Sequence, residues 1–187
     1  MAATETLPLA GIRVLDLTKL LPGPLATLRL RELGAEVVKI EGPSEQGQDD
    51  GARHMLRTPA EMKSGEPGLM FRHLNAGKQL LRLDLRSGAG RDALLAMVRD
   101  ADVLVEGFRP GVMARLGLGW DALHAANARL VMCAISGYGQ HGPWADRAGH
   151  DINYIAMAGV LEQIATPDGE IALPNFQIGD LLGGAQA

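Results

Sequence analysis

Apolar residues fall along this chain in short runs that alternate between two periods. Residues 11–17 (GIRVLDL) form a β-branched, apolar run bounded by turn formers, a pattern that predicts a strand. Pro22-Gly23-Pro24 follows, and apolar side chains then recur at positions 25, 28, 30 and 33. That spacing predicts an amphipathic helix over 25–33 with Pro24 near its first turn and Gly34 as its stop. Residues 36–40 (EVVKI) predict a second strand only two residues later. Strand, helix and strand in this order make a βαβ unit, which the crossover rule requires to be parallel and right-handed.

From Gly42 to Gly77 the chain is polar and rich in Gly, Pro and charge, with no sustained periodicity; a connection of that length is functional or mobile. Strands are predicted again at 80–85, 102–105 and 130–135, separated by helices at 90–99, with Leu94, Leu95 and Val98 on one face, and at 120–126. The alternation predicts an α/β fold, a Rossmann-like open, mainly parallel sheet with helices on both faces. After Ser136 the run Gly137-Tyr138-Gly139-Gln140-His141-Gly142-Pro143 reads as a loop leaving the carboxyl end of a strand, where open α/β sheets bind ligands. Residues 151–161 read as one helix, and Leu181-Leu182 as the start of another.

Composition narrows the function classes. With 187 residues, 47% of them apolar, the chain is expected to form one domain. A net charge of -4 supplies no global positive field for nucleic acid or an anionic membrane surface. The single Cys133 excludes an internal disulfide framework and a multi-cysteine zinc site. The apolar runs are far shorter than the roughly 20 residues of a membrane span. The opening MAATETLPLA lacks a basic n-region and a long apolar core, so a soluble cytoplasmic protein without a secretory signal is expected.

Nucleotide chemistry is the first to be tested. Dinucleotide sites need several glycines where the first strand turns into its helix, so that backbone can approach the ligand. Here Thr18-Lys19-Leu20-Leu21-Pro22-Gly23-Pro24 offers one, Gly117-Leu118-Gly119 lacks the third, and no Walker-type loop exists. Gly149-His150-Asp151-Ile152-Asn153-Tyr154 is a stronger signal. An imidazole in the first turn of a helix lies at the positive end of the dipole, which keeps it neutral and basic, and the free N–H groups of that turn can hold an oxyanion. The other reading is that His150 caps or packs and Asp151 is an ordinary N-terminal carboxylate. A metal site is not expected, because histidines 54, 73, 124 and 141 are scattered. Asp180, after Gly179 and before Gly183-Gly184, reads either as a helix cap or as an acid, base or nucleophile.

Taken in order, Leu15-Asp16-Leu17 with Pro22-Gly23-Pro24, Gly34-Ala35-Glu36-Val37-Val38-Lys39-Ile40-Glu41, Asn75-Ala76-Gly77-Lys78 with Leu83-Asp84-Leu85, and Ala101 through Gly111 resemble the N-terminal half of the family III CoA-transferases. Ser136-Gly137-Tyr138-Gly139-Gln140 and Gly179-Asp180 do so too, and Gly149 to Tyr154 is similar to the signature of the alpha-methylacyl-CoA racemase branch. The resemblance implies that His150 and Asp180, 30 residues apart, stand on opposite faces of a thioester's α-carbon and exchange its proton through an enolate. Backbone N–H groups of Asp151 and its neighbour would hold the oxyanion. In the transferase branch Asp180 attacks the acyl-CoA instead, by way of an aspartyl-CoA thioester, and His150 is not needed.

No prosthetic group is implied, coenzyme A being part of the substrate. By position the resemblance assigns Lys19, Leu21, Asn75, Lys78, Glu106, Gly107, Phe108 and Arg115 to its binding, with Lys78 and Arg115 meeting phosphates and Phe108 stacking on adenine; a solvated charge or a satellite core aromatic is the other reading of each. The family's arginine after Ile40-Glu41 is replaced here by Gly42 and Pro43, so that phosphate contact comes from elsewhere or is lost. Family members are about twice this length and form interlocked homodimers. Residues 1–187 are therefore expected to be the N-terminal part of the large CoA-binding domain, without the small second domain and the C-terminal return segment. On that expectation the piece alone is inactive or poorly folded, and a non-catalytic CoA-binding module is the rival reading.

Overall fold

A computed structural model describes residues 7–187. Residues 1–6, part of the opening segment and of the domain span discussed above, lie outside the described residues. Five strands, β1 (Arg13–Leu17), β2 (Glu36–Glu41), β3 (Gln79–Arg82), β4 (Val103–Glu106) and β5 (Val131–Ala134), form one sheet in the order β3-β2-β1-β4-β5. Every pairing is parallel, as the βαβ pattern predicts.

The central strands are apolar on both sides because both sides are covered. Leu15, Val38 and Leu104 share one register row and face a core completed by Leu94 and Val98 of helix α4 (Gly88–Val98), Met113 of α5 (Val112–Arg115) and Leu123 of α6 (Trp120–Ala126). Val14, Val37 and Val103 occupy the row before it and point the other way, against Ala35 and against Leu30 of α1 (Pro22–Glu32). The expected layering, helices on both faces of a parallel sheet, is thus observed. α1 opens with two prolines, whose missing N–H groups cost nothing in a first turn.

Three expectations are corrected. The stretch from Gly42 to Gly77 holds two 3₁₀ turns, Ser44–Gln46 and Gly51–His54, and two helices, α2 (Pro59–Ser64) and α3 (Leu69–Leu74). Six-residue helices are too short for a periodic signal; α2 is held by a capping box, with Thr58 Oγ1 accepting from the N–H of Glu61 and Glu61 accepting from the N–H of Thr58. The helix expected over 151–161 is two, α7 (Asp151–Met157) and α8 (Val160–Gln163), because Gly159 takes φ +75° and breaks the ladder. Finally, α9 (Ile178–Gln186) begins three residues ahead of Leu181.

α9 lies against the start of α1. At Gly184 an added Cβ would sit 2.4 Å from the carbonyl oxygen of Pro22, so the two backbones touch where no side chain fits. Among the described residues no helix is long and apolar enough to cross a membrane. Leu104 has no exposed surface, whereas Val131 on the edge strand is 60% exposed. Leu104→Ala should therefore lower unfolding free energy by about 2–5 kcal/mol in urea titration, and Val131→Ala by no more than about 0.5 kcal/mol.

Candidate functional site

In this strand order the connections from β1 and β4 leave in opposite directions, which opens a crevice at the carboxyl ends of those strands. A cleft of about 550 Å³ lies there. Thr18, Lys19 and Leu20 line it after β1, Gly107 to Pro110 after β4, and Ile135 to Gly137 after β5. The opposite wall is made by Arg147 to His150, Tyr154 of α7, and Gly179, Asp180 and Gly183 of α9.

Aromatic contacts fold this opposite wall. The Tyr154 hydroxyl donates to the carbonyl of Gly149 at 2.7 Å, and Tyr138 stands edge-on to both Tyr154 and Trp144, with centroids 5.4 and 5.6 Å away. The His150 backbone N–H donates to Asn153 Oδ1 at 2.9 Å, so Asn153 closes the start of α7, and His150 lines the cleft. Asp180 sits in the first turn of α9, where its N–H donates to Asp151 Oδ1 at 3.0 Å. Asp151 thereby joins the first turns of α7 and α9, and it is this bond that brings Asp180 beside His150.

Burial pushes the Asp180 carboxyl above its ordinary range, the Asp151 carboxylate pushes it further, and His150 opposes both. The Tyr154 phenol is also raised, by burial and then by the charge of Asp180 and by Tyr138, against a lowering by Arg109. Glu106, the last residue of β4, is 4% exposed, and burial raises its carboxyl from 4.5 to about 6 even though it accepts a 2.6 Å hydrogen bond from the Phe108 N–H.

Of the residues singled out from the sequence, Lys19, Gly107, Phe108, His150 and Asp180 line this cleft. Leu21, Asn75, Lys78, Glu106, Arg115 and Asp151 do not. The expectation that Lys78 meets a phosphate is corrected. Its side chain has no exposed surface, and its ammonium lies 3.0 Å from Asp16 and 2.9 Å from the carbonyl of Pro24. Asn75 is bound in the same place, accepting from Lys78 at 3.0 Å. Arg115 ends α5, outside the cleft wall. Lys19 reaches the cleft, yet its ammonium also donates to the carbonyls of Gln48 and Asp49 at 2.5 and 2.9 Å. Sequence reasoning missed Arg109 and Arg147, the two guanidinium groups in the lining, along with Tyr154. Arg109 directly follows Phe108 inside the block from Ala101 to Gly111, and Arg147 stands three residues before His150, but no spacing rule marks either as a ligand.

Comparison with known sequences decides the family. The sequence model of CoA-transferase family III matches residues 9–187. The chain belongs to this family. It is 40% identical over 178 residues to the acetyl-CoA:oxalate CoA-transferase of Acetobacter aceti, covering 95% of this chain and 44% of that protein. It is 35% identical over 179 residues to the succinate–glutarate CoA-transferase of Agrobacterium fabrum, with 95% and 44% covered. Among solved structures, a CaiB/BaiF family protein from Brucella suis superposes with a TM-score of 0.88 at 32% identity, over 97% of this chain and 47% of that one. Rv3272 from Mycobacterium tuberculosis gives 0.82 at 37%, over 96% and 48%. The chain therefore spans less than half the length of these family III relatives.

The buried carboxyl of Glu106 makes the stability of this family III chain depend on pH. Because its folded pKa of about 6 exceeds the ordinary 4.5, the folded state binds more protons across that interval, and stability falls as pH rises through it. Glu106→Gln keeps an acceptor for Phe108 and removes the buried charge. The variant should gain about 1–2 kcal/mol at pH 7.5, a rise of a few degrees in melting temperature, and nothing at pH 4; thermal melts at the two pH values read the difference.

Proposed function

We propose that the cleft takes an acyl-CoA thioester and that His150 and Asp180 exchange the α-proton of its acyl group, so that the chain carries the reacting groups of an enzyme epimerising 2-methylacyl-CoA thioesters. One observation carries this reading: an imidazole and a carboxylate from the first turns of two different helices line the same cleft, which also holds Arg109 and Arg147 for an anionic ligand. One member of the pair takes the α-proton, and the C–H electron pair moves into the thioester carbonyl as an enolate. The other member returns a proton to the opposite face, the C–H bond re-forms and the carbonyl is restored with inverted configuration. Proton exchange with solvent then resets the two groups.

The names of the relatives favour a second reading, transfer of CoA between carboxylic acids. Asp180 would attack the thioester carbonyl and expel the CoA thiolate, leaving an acyl-aspartate anhydride. The thiolate would then attack the aspartyl carbonyl, releasing the first acid and forming an aspartyl-CoA thioester, from which a second carboxylate takes the CoA by the reverse steps. His150 has no part in this route.

A chiral 2-methylacyl-CoA incubated with the protein in deuterated water separates the readings. Epimerisation places deuterium at the α-carbon, and His150→Ala and Asp180→Ala should each lower that exchange by at least about 10²-fold. Acyl transfer to an added acid without α-deuterium, retained in His150→Ala, overturns epimerisation in favour of transfer. A melting temperature raised by CoA with neither reaction identifies a CoA-binding module.

A further inference from the structure

Behind the cleft, four charged side chains have no exposed surface at all. They form two ion pairs, Lys78–Asp16 and Lys39–Asp50, each at 3.0 Å. The parallel register sets Asp16 and Lys39 side by side on β1 and β2. Three of the four reach the backbone of the same short segment, Thr18 to Leu20. Asp16 Oδ1 accepts from the N–H and the hydroxyl of Thr18, at 2.9 and 2.5 Å. The Lys39 ammonium donates to the Thr18 carbonyl. Asp50 Oδ1 accepts from the Leu20 N–H at 2.9 Å. Lys78 supports the group from behind, bonding Asp16 and the Pro24 carbonyl.

The segment so held is unusual. Leu20 has φ +66°, in the left-handed region that a branched side chain rarely occupies, and Thr18, Lys19 and Leu20 all line the cleft. Such a conformation persists where its surroundings over-determine it. Buried ion pairs seldom add net stability over an apolar cluster of the same volume, so a core needing only stability has no use for four of these charges. Directional bonds, in contrast, are what an apolar cluster cannot supply.

We propose that Asp16, Lys39, Asp50 and Lys78 are positioning residues: the quartet holds Leu20 in its left-handed conformation and so sets the cleft wall formed by Thr18, Lys19 and Leu20 against which CoA lies. The CoA part of this inference rests on the reading given under Proposed function. The quartet itself touches no ligand.

Two measurements test it. In the unliganded wild-type chain, amide exchange should show the Leu20 N–H slowed on the order of 10³-fold or more relative to free peptide, despite its place in a cleft loop; exchange at the free-peptide rate overturns the proposal, whatever the chain binds. Asp50→Asn keeps the shape and removes the charge. At a temperature where near-UV circular dichroism shows the variant folded, its CoA affinity by calorimetry should fall about tenfold or more. Adding Leu20→Gly, a residue that takes positive φ freely, should recover part of that loss, which a purely structural role for Asp50 would not allow. A folded Asp50→Asn with wild-type affinity, or a double variant with no recovery, overturns the proposal. Should the wild type bind no CoA, the acyl-CoA reading falls, and a faster Leu20 amide in Asp50→Asn still supports the positioning role, while an unchanged one overturns it.

Discussion

An ammonium group without water governs the architecture at the head of the sheet. Lys39 is enclosed completely, in the middle of a strand whose neighbours Val37, Val38 and Ile40 are core residues. An isolated charge there would be prohibitively costly, so partners must come to it. Asp50 is one, and to provide it the chain after β2 has to fold back over the strand it has just left. That return is fastened again by Arg53, whose guanidinium pairs with Glu41 at the end of β2 and lies 3.9 Å above the ring of Phe71 in α3. Asp16 is the other neighbour in the register, and its charge is balanced in turn by Lys78. In stability alone an apolar set of the same volume would serve as well, whereas removing one member strands its partner.

The reacting groups are supplied differently. Strand ends give one side of the cleft its shape, but the imidazole and the carboxylate come from the first turns of α7 and α9, which are joined to each other by Asp151 and to the sheet through α1. The two sides meet with contrasting electrostatics. Beneath β1 the charges are paired and saturated. Across the cleft Asp180 is half-buried with a like charge near it, and Arg147 shares that wall, while Arg109 lines the cleft from the end of β4. A site built in this way keeps its scaffold charges out of the chemistry and leaves a small number of polar groups to act.

How much of this the sequence disclosed depended on the range of the interaction involved. Strand-forming runs and the α1 spacing are local, and β1, β2, β4, β5 and α1 appear within a few residues of where their patterns put them. The α2 helix was legible too, since Thr58-Pro59-Ala60-Glu61 is a capping-box pattern with proline in the first turn, a signal that a search for periodicity passes over. Lys39 and Asp16 are charges set inside apolar strand runs. Nothing local says that their partners lie at Asp50 and Lys78, the second of these 62 residues from Asp16. Lys78 was assigned to a phosphate by position in the family pattern, and no local feature of its loop shows that its stem leads instead to Asp16. His150 and Asp180 were found through family likeness and their setting at helix starts; the Asp151 bond that brings them together spans 29 residues and has no sequence signature.

The contact between Gly184 and Pro22 ties the two sides of the cleft into a single lever. α9 carries Asp180 near one end and rests on α1 at the other, and α1 begins where the Thr18 to Leu20 segment stops. With no side chain between the backbones there is no compressible layer to absorb a shift. The placement of the carboxylate relative to the Thr18 to Leu20 wall is therefore set in part by how α9 packs on the start of α1.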